Sequence, residues 1–148
     1  MADVKTFFSV EQQEEIKKAI VDAEHQTSGQ IRVHLENKCS GDAMERAVLV
    51  LHKLEMHKTN HRNSVLFYVA LSHRKFAIVG DEGVHATVPE NFWDDVKEHI
   101  IKRFKESKFT EGLCEGIRMA GDHLKKNFPH TDSDTNELPD DISFDTNA

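Results

Sequence analysis

Seven consecutive apolar residues, Val65 to Leu71, constrain this chain more than any other feature. A run that is apolar at every position buries both of its faces, as a strand in the middle of a sheet must. It is also far shorter than the roughly 20 residues that span a bilayer. The polar Ser72-His73-Arg74 and a second apolar run, Lys75 to Val79, follow at once, so the two runs read as an antiparallel hairpin.

Upstream, Gln30 to Glu36 alternates strictly, with Ile31, Val33 and Leu35 set against Arg32, His34 and Glu36. That period predicts a strand with one covered face. Between it and the central run lies a helical stripe of Ala47, Val48, Leu51 and Leu54, with Asp42 as its cap and Glu45 in the first turn. A strand, a crossover helix and a second strand make a parallel pair.

Ser9 and Gln12 form a capping box for a first helix that carries Ile16, Ala19, Ile20 and Ala23 inward and is expected to stop near Gly29. Pro89 suits the first turn of a third helix with Phe92, Trp93, Val96, Ile100 and Phe104 on its stripe. Thr110 is expected to cap a fourth, with Leu113, Ile117, Ala120 and Leu124 inward, where Gly112, Gly116 and Gly121 point to close backbone packing. The fold class that follows is α/β: a small mixed sheet, parallel pair plus antiparallel hairpin strand, sandwiched between about four helices.

The net charge of -7 belongs almost entirely to the end of the chain. Residues 129–148 hold six acids and no Lys or Arg, which leaves 20 acids against 19 bases in residues 1–128. The reading is one domain over 1–128 and an acidic, flexible tail over 129–148, with Leu138, Ile142 and Phe144 able to dock on a surface. A nearly neutral domain lacks the clustered positive field that nucleic-acid binding needs. No leader and no membrane insertion are expected, and Cys39 and Cys114 read as free thiols in a reducing, cytoplasmic compartment.

Parallel first and second strands begin at one end of the sheet, and the antiparallel third finishes there. Three loops should therefore meet: Thr27 to Gln30, His61 to Ser64, and Gly80 to Gly83. They bring together Ser28, Gln30, Asn63, Asp81 and Glu82, and the third helix leaves from the same end with Glu90, Asp94 and Asp95. Carboxylates with amide and hydroxyl oxygens suit a hard cation, Ca²⁺ or Mg²⁺. On spacing alone, a solvated acidic turn between two glycines is the simpler reading of the same residues.

The order of these segments resembles the TPM domain family, named for a thylakoid lumen protein, a photosystem-repair protein and a worm receptor modulator. The resemblance runs from Phe8 to Phe128. It rests on Thr27-Ser28-Gly29-Gln30-Ile31-Arg32-Val33, Arg62-Asn63-Ser64-Val65-Leu66, His73-Arg74-Lys75, Gly80-Asp81-Glu82-Gly83-Val84 and Phe109-Thr110-Glu111-Gly112-Leu113. It implies a mixed sheet between helices and a Ca²⁺ or Mg²⁺ site at the loop end, with Asp81, Glu82, Asn63, Asp94 and Asp95 as candidate ligands. The family's usual Asp-Asn-Gly is here Arg62-Asn63-Ser64, and His85 stands where its next acid is expected. Some plant members are described as acid phosphatases.

Two functions fit. One is a cation-binding interaction or regulatory module that docks another protein at the loop end. The alternative is a metal-dependent acid phosphatase hydrolysing phosphomonoesters, with Arg62 offsetting phosphate charge. Two other motifs carry less. His57 and His61 have the spacing of a two-histidine metal site, but Thr59 and Asn60 end the helix between them. Asp132-Ser133-Asp134-Thr135-Asn136 opens like an EF-hand loop, yet Glu137 replaces its glycine.

Overall fold

The structure, a computed structural model, describes residues 6–59, 61–89, 91–129 and 142–145. In chain order the elements are α1 (Val10–Glu24), β1 (Gln30–Glu36), α2 (Ala43–Lys53), a 3-10 turn (Met56–Lys58), β2 (Ser64–Ala70), β3 (Lys75–Gly80), the short α3 (Glu82–His85), α4 (Phe92–Lys105), α5 (Phe109–Asn127) and β4 (Ser143–Asp145). The sheet order is β3-β2-β1-β4. β1 runs parallel to β2 from Gln30 opposite Ser64 to Glu36 opposite Ala70, and β3 returns antiparallel. This is the mixed α/β sheet the sequence predicts, with one strand more.

That strand comes from the C-terminal segment. Ser143, Phe144 and Asp145 pair parallel with His34, Leu35 and Glu36, and Ile142 and Phe144 pack on the core. Part of the acidic segment is therefore sheet, because two apolar side chains on one face repay ordering that its charged neighbours do not. Leu138 and the EF-hand-like residues 132–136 lie outside the described residues, as does Glu90.

Layering follows from side-chain alternation. One sheet face presents Ile31, Val33, Val65, Phe67 and Ile78 to α1, α4 and α5. The other presents Leu66, Tyr68, Ala77 and Val79 to α2 and Met56. Both faces of β2 are buried throughout, as its unbroken apolar run requires. Complete burial of Phe67 alone removes apolar surface worth about 2–3 kcal/mol from water. No helix among the described residues is long and apolar enough to cross a membrane.

β1 departs from expectation, because its second face is covered too. His34 and Glu36 are buried under α2 and the end of β4. Glu36 accepts two hydrogen bonds of 2.8 Å from Arg46, a third from the Tyr68 hydroxyl, and lies 3.3 Å from His34 Nε2. On the far side of the imidazole, His34 Nδ1 is 2.7 Å from Ser143 Oγ. Burial alone would raise the Glu36 carboxyl, but its bonds to Arg46, Tyr68 and His34 hold it below the usual range.

The helix ends are partly as read. Ser9 makes the full capping box and Asp42 accepts from Glu45 N at 3.0 Å. The first helix closes earlier than Gly29, at Glu24, and α5 begins at Phe109 with Thr110 inside it rather than capping it. Gly116 does mark close packing: a Cβ there would lie 2.3 Å from Ile100 Cδ1, so α4 and α5 touch where a side chain fits only if Ile100 shifts.

Candidate functional site

Strand direction brings the three loops together. Gln30 N donates to Asn63 O at 3.3 Å, and Asp81 N donates to Ser64 O at 2.9 Å, so all three strand ends share one hydrogen-bonded layer. Gly83 N donates to Arg62 O at 2.8 Å. A Cβ on Gly83 would fall 2.3 Å from His61 O and 2.7 Å from Arg62 O, an approach only glycine permits. Thr27 anchors the first loop from behind: its hydroxyl bonds to Phe128 O, and it accepts from Gly29 N at 3.0 Å.

Within this layer Asn63 is wholly buried. Its Nδ2 donates to Ser28 Oγ at 3.2 Å, while its Oδ1 is buried and accepts from nothing among the described residues. A buried amide oxygen without a donor costs about 1–3 kcal/mol. Asp81, 6% exposed, accepts from Arg62 Nε at 2.6 Å and from Nη2 at 2.8 Å in a fork-to-fork pair. Burial pushes the Asp81 carboxyl up, yet Arg62, the Glu82 backbone and nearby His52 outweigh it and leave it below the usual range. Arg62 takes a left-handed backbone, φ 51°, that a side-chain-bearing residue adopts at a cost.

The remaining expected ligands are more dispersed. Glu82 is 79% exposed, with its Oε2 3.5 Å from Arg62 Nη1. Asp94 and Asp95 are exposed in the first turn of α4 and make no hydrogen bond or ion pair with the loops among the described residues. That turn is nevertheless held beside β3, since Trp93 packs within 3.4 Å of where a Gly80 Cβ would lie. His85 is exposed at the end of α3. No three His, Cys, Asp or Glu side chains converge on a common point among the described residues.

The His57 ring meets that of His52, centroids 4.6 Å apart, and His52 is near enough to Asp81 to help lower its carboxyl. Sequence reasoning missed His52 because it lies on α2, whose periodicity marks only the inward stripe.

Asp81, Asn63 and Ser28 offer oxygens of the kind a hard cation takes, with the His52 imidazole near Asp81, and Arg62 already supplies Asp81 with a positive charge. The arrangement holds an ionised carboxylate against a guanidinium at the meeting point of three loops.

The TPM domain family model matches residues 1–123. The chain is similar to the BA42 protein of the psychrophilic bacterium Bizionia argentinensis, with 42% identity and a TM-score of 0.90 over 98% of this chain and 100% of that one. The N-terminal domain of a P. gingivalis protein superposes with a TM-score of 0.67 at 16% identity, over 85% of this chain and 83% of that one. The N-terminal domain of the Corynebacterium glutamicum cg2496 protein does so at 0.63 and 14%, over 80% and 74%. Those two likenesses are of fold alone. No curated protein matches the chain.

Proposed function

The chain belongs to the TPM domain family, and from that premise we propose that it is a divalent-cation-binding module which docks another protein at the loop end. The observation that carries this reading is the Asn63 amide oxygen, buried without a donor between Arg62, whose side chain holds the Asp81 carboxylate, and Ser64, whose carbonyl accepts from Asp81 N. A Ca²⁺ or Mg²⁺ ion would relieve that oxygen, with Asn63, Asp81 and Glu82 as its protein ligands and Asp94 and Asp95 adding negative charge beyond them. The ion would supply a shared ligand centre for loops already joined by backbone bonds, by Asn63 to Ser28 and by Arg62 to Asp81.

Arg62 opposes it. The guanidinium and the ion compete for one carboxylate, so affinity is set by how readily Arg62 lets go of Asp81. The phosphatase alternative assigns Arg62 the opposite role, as a group that assists phosphate binding. Its substitution therefore separates the two.

The test is titration of Ca²⁺ and Mg²⁺ into the wild-type chain and Arg62→Asp, followed by amide shifts, with a generic phosphomonoester assay beside it. The module reading expects shifts confined to residues 28–30, 62–64 and 81–83, at least tenfold tighter binding in Arg62→Asp, and none in Asn63→Ala with Asp81→Asn. Absence of shifts in both proteins overturns it. Metal-dependent turnover that Asp81→Asn abolishes would replace it with the enzyme.

A further inference from the structure

A second site lies at the other end of the sheet. A cavity of about 970 Å³ wraps the turn between β2 and β3, floored by Leu71, Phe76, Ile101, Phe104 and Phe109. This is within the size range of ligand pockets, which are mostly apolar with a few placed polar groups. Here the placed groups are cations: Arg74, Lys75, Lys97 and Lys105 all line it.

Their charge is uncompensated. Lys75 Nζ donates to Gly41 O at 2.6 Å, while the side chains of Arg74, Lys97 and Lys105 have no partner among the described residues. The lone acid of the lining, Asp42, is turned to the N-terminus of α2, where it accepts from Glu45 N. Residues 1–128 are close to neutral, so positive charge over an aromatic floor is a local segregation and not an average property.

The spacing of the cations identifies what fits. Lys97 and Lys105 stand eight residues apart on α4, which is about 12 Å, with Ile101 and Phe104 between them. A fatty acid or a phosphate has one anionic head, which both lysines meet only by bending their side chains toward each other across Ile101 and Phe104. An extended peptide rises about 3.3 Å per residue and returns its side chains to the same face every second residue. Acids four residues apart therefore span the two lysines, and the residue midway between them faces Ile101 and Phe104.

We infer that this cavity docks an extended acidic segment of another protein, with the pattern acid, any, apolar, any, acid. The inference stands apart from the cation reading: it concerns the opposite end of the sheet, and its readout involves none of the loop residues.

The probe is the capped peptide Glu-Ser-Phe-Ser-Glu, titrated at low salt into the full chain with amide shifts as readout. Shifts at Leu71, Phe76, Ile101 and Phe104, weakened at least tenfold by added salt or by Lys97→Glu with Lys105→Glu, support the docking site. Lys125→Glu with Lys126→Glu, on α5, should leave binding unchanged. Equal binding of Glu-Glu-Phe-Ser-Ser, which has the same charge without the spacing, overturns the pattern. Displacement by dodecanoate at equal concentration assigns the cavity to single-headed amphiphiles and overturns the peptide. The same shifts on concentrating the protein alone assign it to a second copy, and no shift at millimolar peptide removes the site altogether.

Discussion

Arg46 reaches from the first turn of α2 to grip Glu36, the last residue of β1, through two hydrogen bonds of 2.8 Å. Glu36 is fully buried and Arg46 is partly open to solvent. Glu36→Ala should destabilise the fold by about 3 kcal/mol, the low end for breaking a buried pair, because the stranded guanidinium can still hydrate. Because the folded Glu36 carboxyl titrates below its ordinary 4.5, the stability it confers is complete above that pH and fades as pH falls through the lower folded value. Denaturant midpoints recorded from pH 7 to pH 3 should fall more steeply for the wild type than for Glu36→Gln.

The bond between His34 Nδ1 and Ser143 Oγ, 2.7 Å, fastens β4 to β1. Phe144→Ala together with Ser143→Ala should release the strand and raise hydrogen exchange at residues 34–36, leaving the protection of β2 unchanged. Loss of protection throughout the sheet would mean that β4 supports the whole fold, contrary to this expectation.

Gly83→Ala sets a methyl group against two carbonyl oxygens. Backbone must move to admit it, and the expected cost is about 1–3 kcal/mol. Amide shifts should cluster at residues 61–64 and 81–84. A variant as stable as the wild type would show that the two loops are not locked together.

Asp81 is held ionised by Arg62, so its carboxyl lies below 3.8. The loop-end pair is complete at neutral pH and is lost as pH falls through that lowered value. The side-chain carboxyl signal of Asp81 should show no titration between pH 7 and pH 5 in the wild type, and a clear rise in its midpoint in Arg62→Ala.

Burial raises the Cys114 thiol above its ordinary 9.0. Less thiolate is present at any given pH, so reaction with a disulfide reagent at pH 8 should be slower than for a free thiol and should accelerate on unfolding. Cys39→Ser isolates the signal.

The elements that sequence exposed most clearly are those whose own periodicity decides them. Val65 to Leu71 could only be a central strand, and the capping residues Ser9 and Asp42 mark helix starts at single-residue resolution. The direction of the strands then brings the backbone of the three loops together, with Gln30 N on Asn63 O and Asp81 N on Ser64 O, without any side-chain knowledge. What stayed hidden depends on partners distant in the chain. Nothing near Glu36 announces that Arg46 and Tyr68 will satisfy it, so Arg32-His34-Glu36 read as a solvent face. Nothing near Arg62 announces that it turns onto Asp81. The basic cavity also escaped detection, because Arg74 and Lys75 come from the hairpin and Lys97 and Lys105 from α4, where acids such as Asp94, Asp95 and Glu98 balance them in the sequence.

The closure of the sheet by β4 joins residues 109 positions apart. Ribosomes deliver residues 143–145 after every other described element, so during synthesis the outer side of β1 offers bare backbone donors and acceptors to neighbouring nascent chains. Chains cut short before that segment carry the exposure permanently. They also lose the packing of Ile142 and Phe144 on the core, and they should polymerise through β1 when concentrated.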